Sequence, residues 1–337
     1  MRIITMRNFV ISLLAIIMIG GQAKAKGAAV SWKHITPKML RGKVAYIQGN
    51  KLKCMNPDGS GKHVILSDAK YMDEIRFSPD LTHIVYSYAR PNDDPYLGTE
   101  IFSIKIDGSG KRQLTKNKYQ NVFQHSRYSS DGKKIVYARW SGGHMGGPMT
   151  SSADIWIMNA DGSDNHRLIG DYLRFENGYA YSKPFWSKDG KTIFCERTKG
   201  AFPESTDYQA EASEPTIVSL DGKENPAGEG YESKYLLDDI SHNGQKRISV
   251  TQSEKYTSDA VVQIIDNKTG SKTKLAVLHN SYIMNTFFTT DDKKVIFSQL
   301  EWGEPQIERI WQVNIDGSDL TCLIQSKTEE LSLVQVL

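Results

Sequence analysis

Two short turn sequences alternate along this chain, and their alternation limits the possible fold more than any other feature. The first is an Asp-Gly turn closing an apolar run, at Asp58-Gly59, Asp107-Gly108, Asp161-Gly162, Asp221-Gly222 and Asp316-Gly317, with a longer form from Asp266 to Gly270. The second follows an aromatic or Ile residue: Phe77-Ser78-Pro79-Asp80, Tyr128-Ser129-Ser130-Asp131-Gly132, Trp186-Ser187-Lys188-Asp189-Gly190, Ile240-Ser241-His242-Asn243-Gly244 and Phe288-Thr289-Thr290-Asp291-Asp292. Its leading residues stand 51, 58, 54 and 48 positions apart. After each comes a β-rich run, as in Ile84-Val85-Tyr86, Ile135-Val136-Tyr137 and Val295-Ile296-Phe297, and Val44-Ala45-Tyr46 matches them near the start. β-Branched and aromatic residues between turn formers read as strands, and Asp-Gly supplies the positive φ of a tight hairpin. No long stretch spaces its apolar residues as a helix does.

Each unit therefore holds four strands, A to D, with the Ser-x-Asp-Gly turn joining A to B and the Asp-Gly turn joining C to D. Six such units give about 52 residues apiece, and four-stranded units at that period predict an all-β, six-bladed β-propeller of antiparallel blades. Five turns of the second type against six B strands leave one A strand to find. Leu331 to Leu337 or Val30 to Ile35 could supply it beside Val44, and the sequence does not choose.

Arg2 and Arg7 precede an apolar run from Phe9 to Ile19, followed by Gly20, Gly21 and the small-residue site Ala23-Lys24-Ala25. This predicts a signal peptide over 1–25, since the run is too short to span a bilayer, and a propeller over 26–337 in the periplasm or outside the cell. Loss of Arg2, Arg7 and Lys24 takes the 42 basic residues to 39, equal to the 39 acidic ones. That neutrality argues against a nucleic-acid partner, and no later segment is apolar enough for membrane insertion. Cys54, Cys195 and Cys322 fit neither a disulfide framework nor a zinc site, and each falls in a strand-like run as a small buried hydrophobe.

The run from Asp154-Ile155-Trp156 through Asp161-Gly162-Ser163, then Arg167-Leu168 and Phe185-Trp186-Ser187-Lys188-Asp189-Gly190-Lys191-Thr192-Ile193, closely resembles the repeat of TolB-type propellers. Ile104 to Thr115 with Tyr128 to Tyr137, and Ile310 to Leu323, repeat the pattern. The α/β domain that precedes the propeller in TolB itself has no counterpart in these residues, so the reading is TolB-like. The resemblance implies the fold strongly and the function weakly, because such repeats also occur in peptidase propellers and sugar-processing enzymes.

The tight turns all fall on one face of such a propeller. The other face receives every long insertion: Ala89 to Thr99, Trp140 to Ala153, Asp171 to Ser182, Gly200 to Glu214 and Leu300 to Gln306. Long irregular loops above minimal strands are where binding residues collect, which places a candidate site there. Trp140 and Trp302 open two of these loops where no repeat position calls for an aromatic; a binding anchor and a loop ring folded onto its own blade are equal readings. Trp156 and Trp311 share a column with Phe102 and read as packing residues. In repeat register, Glu74, His125, Lys183, Leu237 and Asn285 line the start of the A strands at the central channel, with Asp73, Arg76, Arg127, Asp238 and Asp239 beside them. A solvated wall with local ion pairs competes with a binding mouth there.

His125, His144 and His279 lie toward the loop face, but their spacing carries no ligand signature, so no metal or other cofactor is expected. The leading expectation is a monomeric, non-catalytic protein holding a protein, peptide or glycan at the loop face and channel mouth, through Asp73, Glu74, His125, Arg127, Trp140, His144, Lys183, Asp238, Asn285 and Trp302. The rival is a polysaccharide enzyme: a metal-dependent lyase like the oligogalacturonate lyases, which share related repeats, or a glycosidase pairing Asp238 with Glu74 or Asp73. Gly190-Lys191-Thr192 lacks the leading Gly of a phosphate loop, Asn159 to Asn165 lacks the carboxylates of a calcium loop, and no G-x-S-x-G elbow exists.

Overall fold

The computed structural model describes residues 42–89, 98–116, 121–140, 153–170, 179–187, 189–199, 214–226, 241, 245–252 and 259–336. The expected signal peptide at 1–25, the run Val30 to Ile35, and His144, Leu237, Asp238 and Asp239 lie outside them. All regular structure among the described residues is β, in six antiparallel sheets.

Blade 1 combines β1 (Val44–Gln48), β2 (Lys51–Met55) and β3 (His63–Leu66) with the last strand of the chain, β23 (Leu331–Val336), in the order β23-β1-β2-β3. Blade 2 runs β4 (Met72–Phe77), β5 (His83–Ala89), β6 (Thr99–Lys105) and β7 (Arg112–Gln113). Blade 3 holds β8 (Val122–Tyr128), β9 (Lys134–Trp140), β10 (Ala153–Asn159) and β11 (His166–Ile169). Blade 4 holds β12 (Tyr179–Trp186), β13 (Thr192–Lys199), β14 (Glu214–Ser219) and β15 (Glu224–Pro226). Blade 5 shows β16 (Lys246–Thr251), β17 (Ala260–Asp266) and β18 (Lys272–Leu278); its expected A strand falls outside the described residues. Blade 6 is β19 (Ser281–Phe288), β20 (Lys294–Glu301), β21 (Ile307–Asn314) and β22 (Thr321–Ser326). The ring closes through the C-terminal run, with Val44 opposite Val336 and Gln48 opposite Leu331.

The core lies in the seams between blades, because each sheet has two apolar faces and its neighbours cover them. Between blades 1 and 2, Ala45, Leu52 and Cys54 meet Met72, Ile75 and Tyr86. Between blades 6 and 1, Phe287, Ile296 and Ile310 meet Tyr46, Leu331 and Leu333. Similar clusters fill the seams 2/3, 3/4 and 5/6. The aromatic column is real: Tyr86 stacks on Phe102 at 5.7 Å between ring centroids and Tyr137 on Trp156 at 6.4 Å, both cross-strand partners.

Both tight turns lie on one face, as their hydrogen bonds show. Ser78, Ser129, Ser187 and Thr289 each donate a side-chain hydroxyl to the Asp two residues on. Within a blade the two turns join, with Ile106 N–H donating to Thr82 O, Ala160 N–H to Lys133 O and Ile315 N–H to Lys293 O. The Asp-Gly turns also touch the preceding blade. A Cβ built on Gly108, at φ +85°, would lie 2.7 Å from Ile65 O of β3. Glycine is required there by space as well as by backbone angle.

Cys54 and Cys195 are buried as expected, and burial pushes their thiols up to about 11 and about 12. Cys322 is the exception. It lies on β22, the outer strand of blade 6, and is exposed.

Candidate functional site

The A strands of consecutive blades, β23, β4, β8 and β12, lie against one another and so form the wall of the central channel. Each carries an extra residue relative to its B-strand partner. Glu74 and Ile75 together face Tyr86, His125 and Ser126 face Tyr137, and Lys183 and Pro184 face Cys195. These β-bulges put Glu74, His125 and Lys183 at one structural position with φ of 52°, 59° and 53°. Left-handed backbone costs a non-glycine residue about 1 kcal/mol or more.

The fold does not demand that cost. β19 makes its bulge between Ile283 and Asn285 with no left-handed residue in it. Blades 2 to 4 each keep the strained residue that the bulge of β19 does without.

Their side chains interact across the seams. The Glu74 carboxylate accepts the backbone N–H of His125 through Oε2, and its Oε1 lies 3.1 Å from His125 Nε2. Burial, then the positive charges of Arg127, Lys183 and Arg76, hold the His125 pKa well below its ordinary value. A carboxylate only accepts, so the ring nitrogen that faces Glu74 is the donor of that contact. Arg76 Nη1 donates to Ile75 O at 2.8 Å, and Trp186 Nε1–H donates to Arg127 O at 3.2 Å. Lys183 Nζ lies 2.7 Å from Glu196 Oε2. Arg76, His125 and Arg127 are all buried.

The residues expected to bind divide accordingly. Glu74, His125, Arg127 and Lys183 come together on β4, β8 and β12, and Asp73 lies on β4 opposite Ser87. Asn285 sits apart, where its Nδ2–H donates to Leu333 O and ties blade 6 to the closing strand. Trp140 ends β9 and packs half-buried against the blade 3/4 cluster of Val136, Ala138, Ile155 and Tyr181, which fits its packing reading. Trp302 is half-buried beyond β20, with its backbone N–H donating to Asn280 O at 2.8 Å. His125 is buried while His279 is exposed beside Asp259, and no group of three or more metal-ligating side chains occurs among the described residues.

Sequence reading missed Glu196. It follows Cys195 on β13, and period-two alternation from buried Ile193 and Cys195 puts it on the other face. Also missed were ion pairs at the loop-face ends of the B and C strands: Arg139 Nη2 to Asp154 Oδ2 at 2.5 Å, Arg197 Nη2 to Glu214 Oε2 at 2.7 Å, and Arg309 to Glu301. Arg139 also lies over the Trp156 ring at 4.5 Å.

No family model and no curated protein matches this chain. Solved structures do. TolB from Acinetobacter baumannii superposes with a TM-score of 0.51 at 16% identity, covering 86% of this chain and 65% of that one. Hydrazine synthase of Kuenenia stuttgartiensis gives 0.51 at 12% identity, over 94% of this chain and 50% of that one. An oligogalacturonate lyase in complex with manganese gives 0.39 at 16% identity, over 78% of this chain and 54% of that one. This chain thus spans less than two thirds of each of those proteins. At such identities the likeness shows the fold alone, an all-β, six-bladed propeller of the kind found in TolB.

Proposed function

We propose that this chain is an exported, non-catalytic binding protein that holds a protein or peptide at its loop face and channel mouth. The observation that carries the reading is the inner-wall cluster of blades 2 to 4, where backbone strain is kept at three charged or titratable residues without a requirement of the fold. The carboxylate proposed for a glycosidase pair, Glu74, is engaged by the backbone and ring of His125, which suits a recognition surface better than an acid or base. Export rests on the leader at 1–25, with cleavage after Ala25.

The test is a photo-crosslinking residue placed at Trp302 in the protein expressed in its own host. Capture of a discrete protein partner, lost when the crosslinker sits instead at Lys223 on the turn face, supports the reading. Turnover of polygalacturonate or of a casein substrate by the pure protein overturns it. An exported product whose intact mass begins later than about Val30 overturns the cleavage site.

A further inference from the structure

Tyr86 and Tyr88 point to the same side of β5, and Phe102, the cross-strand partner of Tyr86 on β6, joins them on the face of blade 2 that meets blade 1. Tyr86 is fully buried and stacks on Phe102 with ring centroids 5.7 Å apart, while Tyr88 meets Phe102 at 5.8 Å and 81°. The Tyr88 and Phe102 rings make a corner, and the ammonium of Lys111 lies in it, 5.2 Å from the first centroid and 5.1 Å from the second. Neighbours fix the Tyr88 wall: Tyr71 packs edge-on to it at 6.5 Å, and its hydroxyl donates to Asp68 Oδ2 at 3.4 Å. Lys70 takes the Tyr71 ring at 5.1 Å, so the corner has two walls rather than three. Lys111 itself belongs to the short connection between β6 and β7 and is exposed.

Two ring faces suit a cation without N–H groups better than the one they hold. An ammonium has three donors and gives up strong hydration when it leaves water. Among the described residues, Lys111 Nζ forms no hydrogen bond and no ion pair in return. A quaternary ammonium has no donors to satisfy; its methyl groups lay apolar surface on the rings while its charge meets their π faces. We propose that the corner of Tyr88 and Phe102 binds a trimethylammonium group, and that Lys111 occupies it in the free protein and leaves it on binding. Lys111 is free to leave because its stem is exposed and flexible, so its head returns to water without moving β6 or β7. Free solutes such as choline and phosphocholine lipid headgroups both carry this group, and the site recognises what they share. It lies between blades 1 and 2 and uses no residue of the channel wall, so it stands or falls apart from the loop-face reading.

The experiment uses the whole mature protein and choline, followed by saturation transfer from the protein to the choline methyl protons. Saturable binding with a dissociation constant on the order of millimolar is expected, and the neutral isostere with carbon in place of nitrogen should bind about tenfold more weakly. Lys111→Ala should tighten choline binding about threefold or more by removing the competitor, and Phe102→Leu should weaken it about tenfold. Lys111→Ala changes an exposed side chain and decides the question if Phe102→Leu does not fold. Lys223→Gln, on an exposed turn, should change nothing. Absence of choline binding, equal binding of the isostere, or binding indifferent to Lys111→Ala overturns the site. Binding that appears only in Lys111→Ala also overturns it, because Lys111 would then be a permanent occupant. Sedimentation with phosphatidylcholine or phosphatidylglycerol vesicles separates the two sources. Retention on the first alone, lost in Phe102→Leu, supports the site with a headgroup as its ligand, and choline binding without retention supports it with a free solute. A partner captured at Trp302 by a protein that ignores choline would leave the general binding reading intact and remove this one.

Discussion

Gly108 combines two demands that the sequence shows as one. Its φ of +85° forbids a comfortable side chain, and Ile65 O of the neighbouring blade fills the space where a Cβ would go. Gly270 isolates the first demand, since it has φ +71° with nothing within 4 Å. Gly270→Ala should therefore cost about 1 kcal/mol, and Gly108→Ala at least about 2, because the seam between blades 1 and 2 must also open. Urea unfolding of the two variants checks this; equal losses would mean that the turns do not set blade spacing. The aromatics divide in the same way. Trp156, stacked between Tyr137 and Arg139, should cost about 3 kcal/mol when replaced by Ala, whereas Trp302→Ala should leave the melting temperature nearly unchanged. Reading Trp156 as a packing residue was possible because it shares a column with Phe102 and Trp311. Trp140 shares no column, so only its position against the blade 3/4 cluster reveals its packing.

At the scale of strands and turns, the order of strands within blades was legible because Ser-x-Asp and Asp-Gly mark turns by their own chemistry, whatever lies across the seam. The left-handed residues of the A strands were not legible. Glu74, His125 and Lys183 carry none of the glycine or asparagine signal that normally announces a positive φ, so their common conformation appears only once the bulges are seen. The choice of closing strand was open for a related reason, since two short apolar runs were equally able to pair with Val44. β23 settles it and makes a prediction. Ending the chain at Glu330 removes Leu331 and Leu333 from the blade 6/1 seam and leaves β1 as a bare edge, so the truncated protein should aggregate at concentrations where the full chain stays dispersed. A monodisperse truncation with unchanged melting would refute it. Glu308 guards the same junction, accepting the backbone N–H of Leu331 while burial, and then Glu330, push its pKa up. A glutamate with a raised folded-state pKa adds stability fully below the ordinary glutamate range and loses it as pH rises through the raised value. Glu308→Gln keeps an oxygen for Leu331 without the buried charge. Its urea midpoint relative to the parent should rise between pH 4 and pH 7, and an identical difference at both would count against the buried charge.

For the whole molecule, His125 sets the opposite trend. Its folded-state pKa is depressed, so the unfolded chain binds the proton more readily, and stability should fall as pH drops through the ordinary histidine value of about 6.5. The urea midpoint should decline from pH 7.5 to pH 5.5, and His125→Gln should flatten that decline; a slope unchanged in the variant would assign it elsewhere. Ring closure has a kinetic side as well. Val44 pairs with Val336, so the first described strand of the molecule waits for the last one. Loop-closure entropy grows slowly with length, but no partner for the inner edge of β1 exists until some 290 further residues have been made and delivered. A chain emerging amino end first from a ribosome or an export channel can pack its blades one after another. It cannot lock them until the final strand arrives, and in pulsed hydrogen exchange the amides shared by β1 and β23 should be the last to gain protection.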